Sequence, residues 1–342
     1  MRAHDNKINT LPLPFLFALF GLLLLVFVIL NITLGSVQIS LSEIWKSLLH
    51  KGDPVFQTVV MEIRFPRAVA AVFGGAALAV SGLLLQIFFR NPIADPYVLG
   101  VSSGATLLVA IVSLSGFAMG MRSVSPYLLS AAALIGALGV VALIVILAGK
   151  LKNVVTLLVV GMMIGFMCSA GTSFLIAFAE KEQVHSFTLW TLGSFSGFCW
   201  DEAAVLAIGG AVLLIASYLL CKPLNALLLG EDYAQSMGVD IRTLRVVIVV
   251  ISSVLTALVT AFAGPVAFIG LAAPHLARLT LGSSDNKVLI PAAILIGALI
   301  TTLCDLAARL VFAPVELPIS AVTSLFGGPI VIFLLLKRKT SL

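Results

Sequence analysis

The chain has 342 residues, of which 61% are hydrophobic and 10% are charged, and its mean hydropathy is +1.18. Because a soluble protein carries about 25% charged residues, this composition excludes a soluble globular protein and indicates a polytopic membrane protein. The net charge of +5 does not indicate a nucleic-acid partner, since basic residues of membrane proteins mainly report orientation.

Ten apolar segments along the chain are candidates for membrane-spanning helices, each of which needs about 20 residues. The predicted helices cover residues 15–34, 66–88, 96–116, 126–148, 154–178, 200–221, 246–263, 267–281, 288–311 and 317–336. The first lacks a small-residue cleavage site, so we interpret it as a retained helix rather than a signal peptide. The sequence therefore predicts an all-α membrane protein with one transmembrane domain over residues 1–342.

The distribution of basic residues predicts the orientation of these helices. Ten spans place both termini on one side of the membrane, and that side carries 13 of the 20 Lys and Arg residues. Cytoplasmic loops are enriched in Lys and Arg. We therefore expect both termini, and the polar connection at residues 224–245, to lie in the cytoplasm.

Two glycines in the fifth predicted helix form the sequence Gly161-Met-Met-Ile-Gly165. This GxxxG spacing permits close approach between membrane helices. It is compatible with packing inside the monomer, and also with a face that lines a dimer interface or a transport pathway.

The connection at residues 224–245 has a helical pattern of its own. Apolar residues recur at helical spacing, glycines end each short helix, and acidic residues follow the first glycine, where they suit a helix N-terminus. The residues that carry this pattern are Leu224, Leu228, Gly230, Glu231, Ala234 and Gly238. Two short amphipathic helices between spans form either a docking surface for a soluble partner or a pair that lies on the membrane, and spacing alone does not decide between them.

The chain lacks the residues that several kinds of membrane protein need. A proton relay of buried carboxylates or histidines is missing; Asp305 and Arg309, four residues apart, could simply pair with each other. The sequence has no phosphate-binding loop, and its four cysteines have no metal-ligand spacing. We expect a chain that is not itself an enzyme and binds no cofactor or metal, so ATP-driven work requires another polypeptide.

Sequence blocks along most of the chain carry a family resemblance. The blocks before the 224–245 connection are Arg64-Phe-Pro-Arg67, Gly74-Gly-Ala-Ala-Leu-Ala-Val-Ser-Gly82, Arg90-Asn-Pro-Ile-Ala-Asp-Pro96, Leu99-Gly-Val-Ser-Ser-Gly-Ala105 and Trp190-Thr-Leu-Gly-Ser194. The blocks within and after it include Leu229-Gly-Glu231, Gly264-Pro-Val-Ala-Phe-Ile-Gly-Leu271, Pro274-His275 and Glu316-Leu-Pro318. From about residue 15 to residue 337, the chain resembles the permease subunits of bacterial ABC importers for iron–siderophore complexes, haem and vitamin B12.

This resemblance implies a type II ABC importer permease in the bacterial inner membrane. It implies a second permease copy, with an identical copy favoured, two ATP-binding subunits that hold ATP and magnesium, and a periplasmic substrate-binding protein. Residues 224–240 would form coupling helices that sit in a groove of an ATP-binding subunit, which favours the docking interpretation. The fifth helix and its neighbours would line the substrate path along the dimer axis.

The resemblance also implies roles for three arginines. Arg64, Arg67 and Arg309 match positions that meet acidic residues of the binding protein in the vitamin B12 importer. Guanidinium groups form fork-like bonds with carboxylates and steer a charged partner into register. The alternatives are snorkelling at the membrane edge and, for Arg309, pairing with Asp305.

A cytoplasmic gate is implied at Asn91 and Ile93. A second gate of the vitamin B12 importer has small hydroxyl residues before the fifth helix, where this chain has Val154 and Val155. The sequence therefore predicts different chemistry at that second position.

We expect the transported substrate to be an iron complex, either a ferric siderophore or haem, and the alternative is vitamin B12 or another corrinoid. A secondary transporter that works without an ATPase is the hypothesis from a different class. Co-purification of an ATP-binding subunit would distinguish the two classes.

Overall fold

The computed structural model describes residues 12–35, 39–49, 51–115, 125–148 and 154–339. Within these residues all regular structure is helical, as predicted. The helices are α1 (Leu13–Thr33), α2 (Leu41–Leu48), α3 (Pro54–Thr58), α4 (Phe65–Phe88), α5 (Val101–Ser115), α6 (Pro126–Ala148), α7 (Val154–Ala177), α8 (Lys181–Thr191), α9 (Trp200–Leu219), α10 (Cys221–Leu228), α11 (Glu231–Ser236), α12 (Ile241–Ala263), α13 (Ile269–Leu281), α14 (Asn286–Leu310) and α15 (Ile319–Lys339). The two chain ends, for which the sequence predicts a cytoplasmic location, lie outside the described residues.

Each of the ten predicted spans overlaps one helix of the structure: α1, α4, α5, α6, α7, α9, α12, α13, α14 or α15. In the described part of the chain, seven helices are long and apolar enough to cross a membrane, and α5 is a shorter apolar helix. The helix that contains α4 is continuous from Pro54 to Phe88, because a π-helical turn at Val59–Arg64 joins α3 to α4. The chain is therefore a multi-span helical membrane protein.

Two further helix starts differ from the predicted boundaries by five residues. The seventh span begins at Ile241 rather than residue 246, because Asp240 accepts a hydrogen bond from the Arg242 amide at 3.0 Å and caps the helix earlier. The third span begins at Val101 rather than residue 96, because a 3₁₀ turn precedes it and Gly100 has a φ of 76°.

Helix α4 lies at the centre of the bundle, where it packs against α9, α12, α13 and α14. Along the most apolar stretch of the helix Pro54–Phe88, 83% of the residues are buried. A Cβ on Gly75 would overlap the carbonyl of Gly297, and one on Gly82 would overlap the backbone of Gly270. Since lipid supplies no hydrophobic force between helices, such close van der Waals packing holds membrane bundles together.

A non-helical segment, residues 264–268, separates α12 from α13 inside the bundle. The Val266 amide donates to the Tyr97 hydroxyl at 2.7 Å, and the Pro265 carbonyl accepts from the Ser320 hydroxyl at 2.5 Å. Irregular backbone at membrane depth is tolerated only where the protein satisfies its polar groups. Because these side-chain bonds satisfy the segment before it, the helix of the predicted eighth span, α13, can be short.

Helix α7 lies at the periphery of the chain. Only 22% of the residues in its most apolar stretch are buried. Phe166 and Phe174 are exposed on it, and Phe178 is exposed directly after its last residue. This face is left to lipid or to another polypeptide.

Candidate functional site

Opposite charges meet where α4 begins and α14 ends. Arg67 donates from Nε to both oxygens of Asp305 at 3.1 Å and from Nη2 to Oδ1 at 2.9 Å. The two residues are 6% and 1% exposed. A buried pair offsets its loss of hydration only with such multiple, well-aligned bonds. We call this region the arginine end; it comprises Arg64, Arg67, Asp305, Arg309 and Glu316.

Two further side chains extend this network. Arg67 Nη1 donates to the two oxygens of Glu316 at 3.0 and 3.1 Å, and the Glu316 side chain is 42% exposed. Arg309 Nη2 lies 3.6 Å from Asp305 Oδ2 and donates to the Asn31 carbonyl at 3.1 Å and to Asn31 Oδ1. The alternative pairing of Arg309 with Asp305 is thus present in the structure.

Arg64 binds the end of α1. Its Nη1 donates to the carbonyls of Ile32 and Thr33 at 2.7 and 2.8 Å, which are among the last carbonyls of the helix and have no partner within it. The π-helical turn before α4 carries Arg64 to this position. Arg64 therefore joins α1 to α4.

The structure shows the setting of the arginines for which the resemblance implies docking to a binding protein. Arg64 and Arg67 are buried and bonded within the chain. The physical reason is that α1, α4 and α14 converge here, and the carboxylates that meet Arg67 lie 238 and 249 residues away in the sequence. No local pattern could reveal that pairing, so the docking role remains a prediction.

At the opposite end of α14, the predicted coupling helices are present as α10 and α11. We call residues 221–240 the short-helix end. Gly230 and Gly238, with φ values of 128° and 84°, allow the chain to turn after each helix, because residues with a Cβ rarely adopt these angles. The predicted glycine stops are therefore confirmed as backbone features.

The predicted coupling residues fall into two groups. Leu224 and Ala234 are fully buried and anchor the two short helices to the bundle, whereas Leu228 and Gly238 are exposed. Glu231 lies 3.7 Å from Arg245 Nη2 on α12. The inward group sets the position of the short helices, and the outward group is accessible to another molecule.

The coupling residues singled out in the sequence do not include all of this surface. Leu229 and Met237 are 68% and 61% exposed, and Tyr233 is also exposed beside them in the chain. Tyr233 and Met237 are four residues apart, a spacing that puts them on one helical face, so a helical projection of α11 could have found them. With Leu228 they give the short-helix end an exposed apolar surface.

The predicted gate residues lie in the connection between α4 and α5. Asn91 Oδ1 accepts from the Ile93 amide at 3.1 Å, and the Ala94 amide donates to the Asn91 carbonyl at 3.1 Å. Ile93 is exposed. Asn91 therefore fixes a tight turn that presents the Ile93 side chain.

Gly161 and Gly165 pack within the chain. A Cβ on Gly161 would lie 3.1 Å from Leu99 Cα, and one on Gly165 would lie 3.4 Å from Gly100 Cα. The two glycines allow α7 to approach the turn before α5. Of the two interpretations of the GxxxG spacing, this geometry matches packing inside the monomer.

Beyond these glycines, residues of α5, α7 and α8 line an open cleft with a volume of about 290 Å³. Hydroxyl groups dominate its lining, and Phe187 is the single aromatic among its lining residues. The lining residues are Ser102, Ser103, Thr106, Ser169, Thr172, Ser173, Phe187 and Thr191. Hydroxyl groups inside a membrane protein face the bundle interior or a water-filled cavity rather than lipid.

Known structures define the class of this protein. The fold is similar to a solved metal-chelate type ABC transporter in an inward-facing conformation, with a TM-score of 0.85 and 30% sequence identity. The match covers 95% of this chain and 99% of the other. The chain is therefore an ABC importer permease with the predicted type II fold.

The family follows from sequence comparison. The model of the FecCD transport family matches residues 23–337. The chain is 34% identical over 324 residues to the hemin transport system permease protein HmuU of Yersinia pestis, covering 93% of this chain and 95% of the relative. It is 36% identical over 300 residues to the vitamin B12 import system permease protein BtuC of Vibrio cholerae, covering 87% and 89%. The chain belongs to the FecCD transport family, as the resemblance predicted.

Proposed function

We propose that this chain is the transmembrane subunit of an ATP-driven importer that moves an iron complex, a ferric siderophore or haem, from periplasm to cytoplasm. The observation that carries the proposal is the exposed apolar surface of the short-helix end in a permease of the FecCD family. The haem permease among its relatives and the metal-chelate type of its structural neighbour support an iron complex.

The short-helix end supports an ATP-binding partner. Large apolar side chains exposed together mark protein interaction sites, and this surface belongs to two short helices that Leu224 and Ala234 anchor to the bundle. Two ATP-binding subunits, one for each permease copy, would hold ATP and magnesium. This assignment places the short-helix end in the cytoplasm of a bacterial inner-membrane protein, in line with the distribution of Lys and Arg.

The cleft between α5, α7 and α8 supports a transport path beside α7. Its hydroxyl lining offers hydrogen bonds to a passing chelate without a fixed charge that would hold it. The exposed aromatic face of α7 supports a second permease copy, with a homodimer favoured, because the path would then be enclosed between two copies. The turn at Asn91 and Ile93 would close this path on the cytoplasmic side.

The arginine end supports docking of a periplasmic binding protein that replaces one carboxylate partner of Arg67 with its own. Its five charged residues carry three positive and two negative charges, and Glu316 is the partly exposed partner of Arg67. An incoming carboxylate would take the place of Glu316. Glu316→Gln is then expected to tighten binding of the binding protein, measured by titration against the permease complex in detergent; unchanged or weaker binding contradicts this form of docking.

Uptake by the reconstituted complex tests the function. The permease, its ATP-binding subunit and candidate binding proteins are placed in liposomes, with ferric siderophore, haem and cobalamin supplied in turn. We expect ATP-dependent accumulation of an iron complex and no ATP hydrolysis by the isolated permease. Accumulation without ATP would instead establish a secondary transporter.

Vitamin B12 is the second candidate substrate, because BtuC proteins from several organisms are about as similar to this chain as the haem permease is. Accumulation of cobalamin and of neither iron complex in the same assay would replace the iron assignment.

A further inference from the structure

Asn225 on α10 connects the short-helix end directly to α14. Its Nδ2 donates to Asp285 Oδ1 at 2.6 Å, and its Oδ1 accepts from the amide and from Nδ2 of Asn286 at 2.9 and 2.8 Å. A backbone amide is always a donor, so the bond from the Asn286 amide fixes the orientation of the Asn225 side chain. One amide group therefore makes three bonds to the start of another helix.

These bonds add to the cap that α14 takes from its own segment. The first amides of a helix have no partner within it. Asp285 accepts from the Lys287 amide at 2.9 Å, while the Asn286 amide is bonded by Asn225 from α10. Asn286 is 0% exposed, and a buried amide without a partner is costly, so a displacement of α10 is opposed unless α14 follows it.

Helix α14 runs from this joint to the arginine end. Its 25 residues span about 37 Å at 1.5 Å per residue, and it is helical on both sides of Pro291. Near its far end Asp305 is held by Arg67 and Arg309, and in between it packs closely along α4 through Gly297. One continuous helix therefore bonds to both candidate functional surfaces.

We propose that Asn225 is a positioning residue that transmits displacement of the short-helix end to α14, and through α14 to the arginine end. This proposal rests on the proposed ATP-driven function. It makes α14 the mechanical link between the surface for the ATP-binding subunit and the surface for the binding protein.

The first test measures substrate molecules imported per ATP hydrolysed, in liposomes that contain the whole complex and the substrate that the wild type takes up. For Asn225→Ala we expect this ratio to fall by about fivefold or more, as for other coupling free energies between two sites. A variant that is only less stable would lose import and hydrolysis together and keep the ratio. Ser283→Ala is the matched control: Ser283 Oγ accepts from the Asp285 amide at 3.2 Å within the same turn, and its loss should leave the ratio at the wild-type value.

A rescue variant separates the joint from general damage. Asn225→Asp puts a second carboxylate against Asp285 and should lower the ratio. Asn225→Asp combined with Asp285→Asn restores one amide and one carboxylate and should recover it. A wild-type ratio in Asn225→Ala, or no recovery in the double variant, overturns the proposal.

A second readout does not depend on the substrate. Spin labels at Leu303→Cys on α14 and Leu128→Cys on α6, both exposed positions, are attached after the four native cysteines are replaced by serine. They then report the distance between these helices near the arginine end. Binding of ATP to the complex should change this distance in the wild type and leave it unchanged in Asn225→Ala. An equal change in both, or none in the wild type, contradicts transmission through Asn225, whereas lack of import by a complex that shows the change contradicts only the proposed function.

Discussion

The two ends of α14 use their side chains in opposite ways. At the arginine end, most charged groups are buried and bonded within the chain, while the short-helix end exposes large apolar side chains. The first arrangement stabilises the junction of α1, α4 and α14, and the second leaves a surface that only another molecule can cover. Motif residues that look like surface contacts in the sequence are therefore not all on the surface.

The largest expected effect is at the arginine end. Asp305→Ala leaves two buried guanidinium groups without their shared carboxylate, and breaking such a buried pair lowers the free energy of unfolding by about 3–5 kcal/mol. Thermal unfolding of the detergent-solubilised protein measures this loss. Glu316→Gln is the matched control, because its half-exposed pair should change stability by about 1 kcal/mol or less; equal losses in the two variants would remove the distinction between buried and exposed partners.

At the short-helix end the effect should appear in binding instead of folding. Leu229→Asp combined with Met237→Asp places charges on the exposed apolar surface, so we expect affinity for the ATP-binding subunit to fall by about 2 kcal/mol or more, as at interface hot spots. The melting temperature should stay close to that of the wild type. Pull-down of the ATP-binding subunit by each permease variant compares their affinities. Binding by the double variant at the wild-type level would show that this surface is not the docking surface.

A smaller stability effect is expected at Gly238, where bulk and backbone strain can be separated. A side chain at its φ of 84° costs about 1–2 kcal/mol, and this strain is shared by Gly238→Ala and Gly238→Trp. Only the tryptophan obstructs a partner, so Gly238→Trp should lose ATP-dependent uptake while Gly238→Ala retains it. Normal uptake by the tryptophan variant would contradict a coupling role for this turn.

The smallest effect is a pH dependence that involves Asp240 in the short-helix end and Asp285, which Asn225 contacts. A hydrogen bond from the Thr243 hydroxyl lowers the pKa of Asp240, and the bond from the Lys287 amide, followed by that from Asn225, lowers the pKa of Asp285. Since each pKa is depressed in the folded state, the stabilisation is present above the ordinary Asp pKa of about 3.9 and is lost as the pH falls through the folded values. Melting temperature followed across this acid range should decline less steeply in Asp240→Asn than in the wild type; parallel curves would contradict the assignment.

The sequence by itself determined the membrane class, the places of the ten main helices, the short-helix end and the family. Long apolar segments and the glycines at positions 230 and 238 act locally, so their physical consequence is the same wherever the helices pack. The residue blocks from Arg64 to Glu316 were sufficient for the family because they occur in a fixed order.

Only the tertiary structure decided which of these residues face inward. The bonds of Arg67 to Asp305 and Glu316, and of Asn225 to Asn286, join positions far apart in the chain, and no periodicity encodes such a pair. Similarly, whether Leu224 or Leu229 is exposed depends on how α10 lies against the bundle. Local chemistry fixed the helices, and packing between distant helices fixed the use of their polar and apolar side chains.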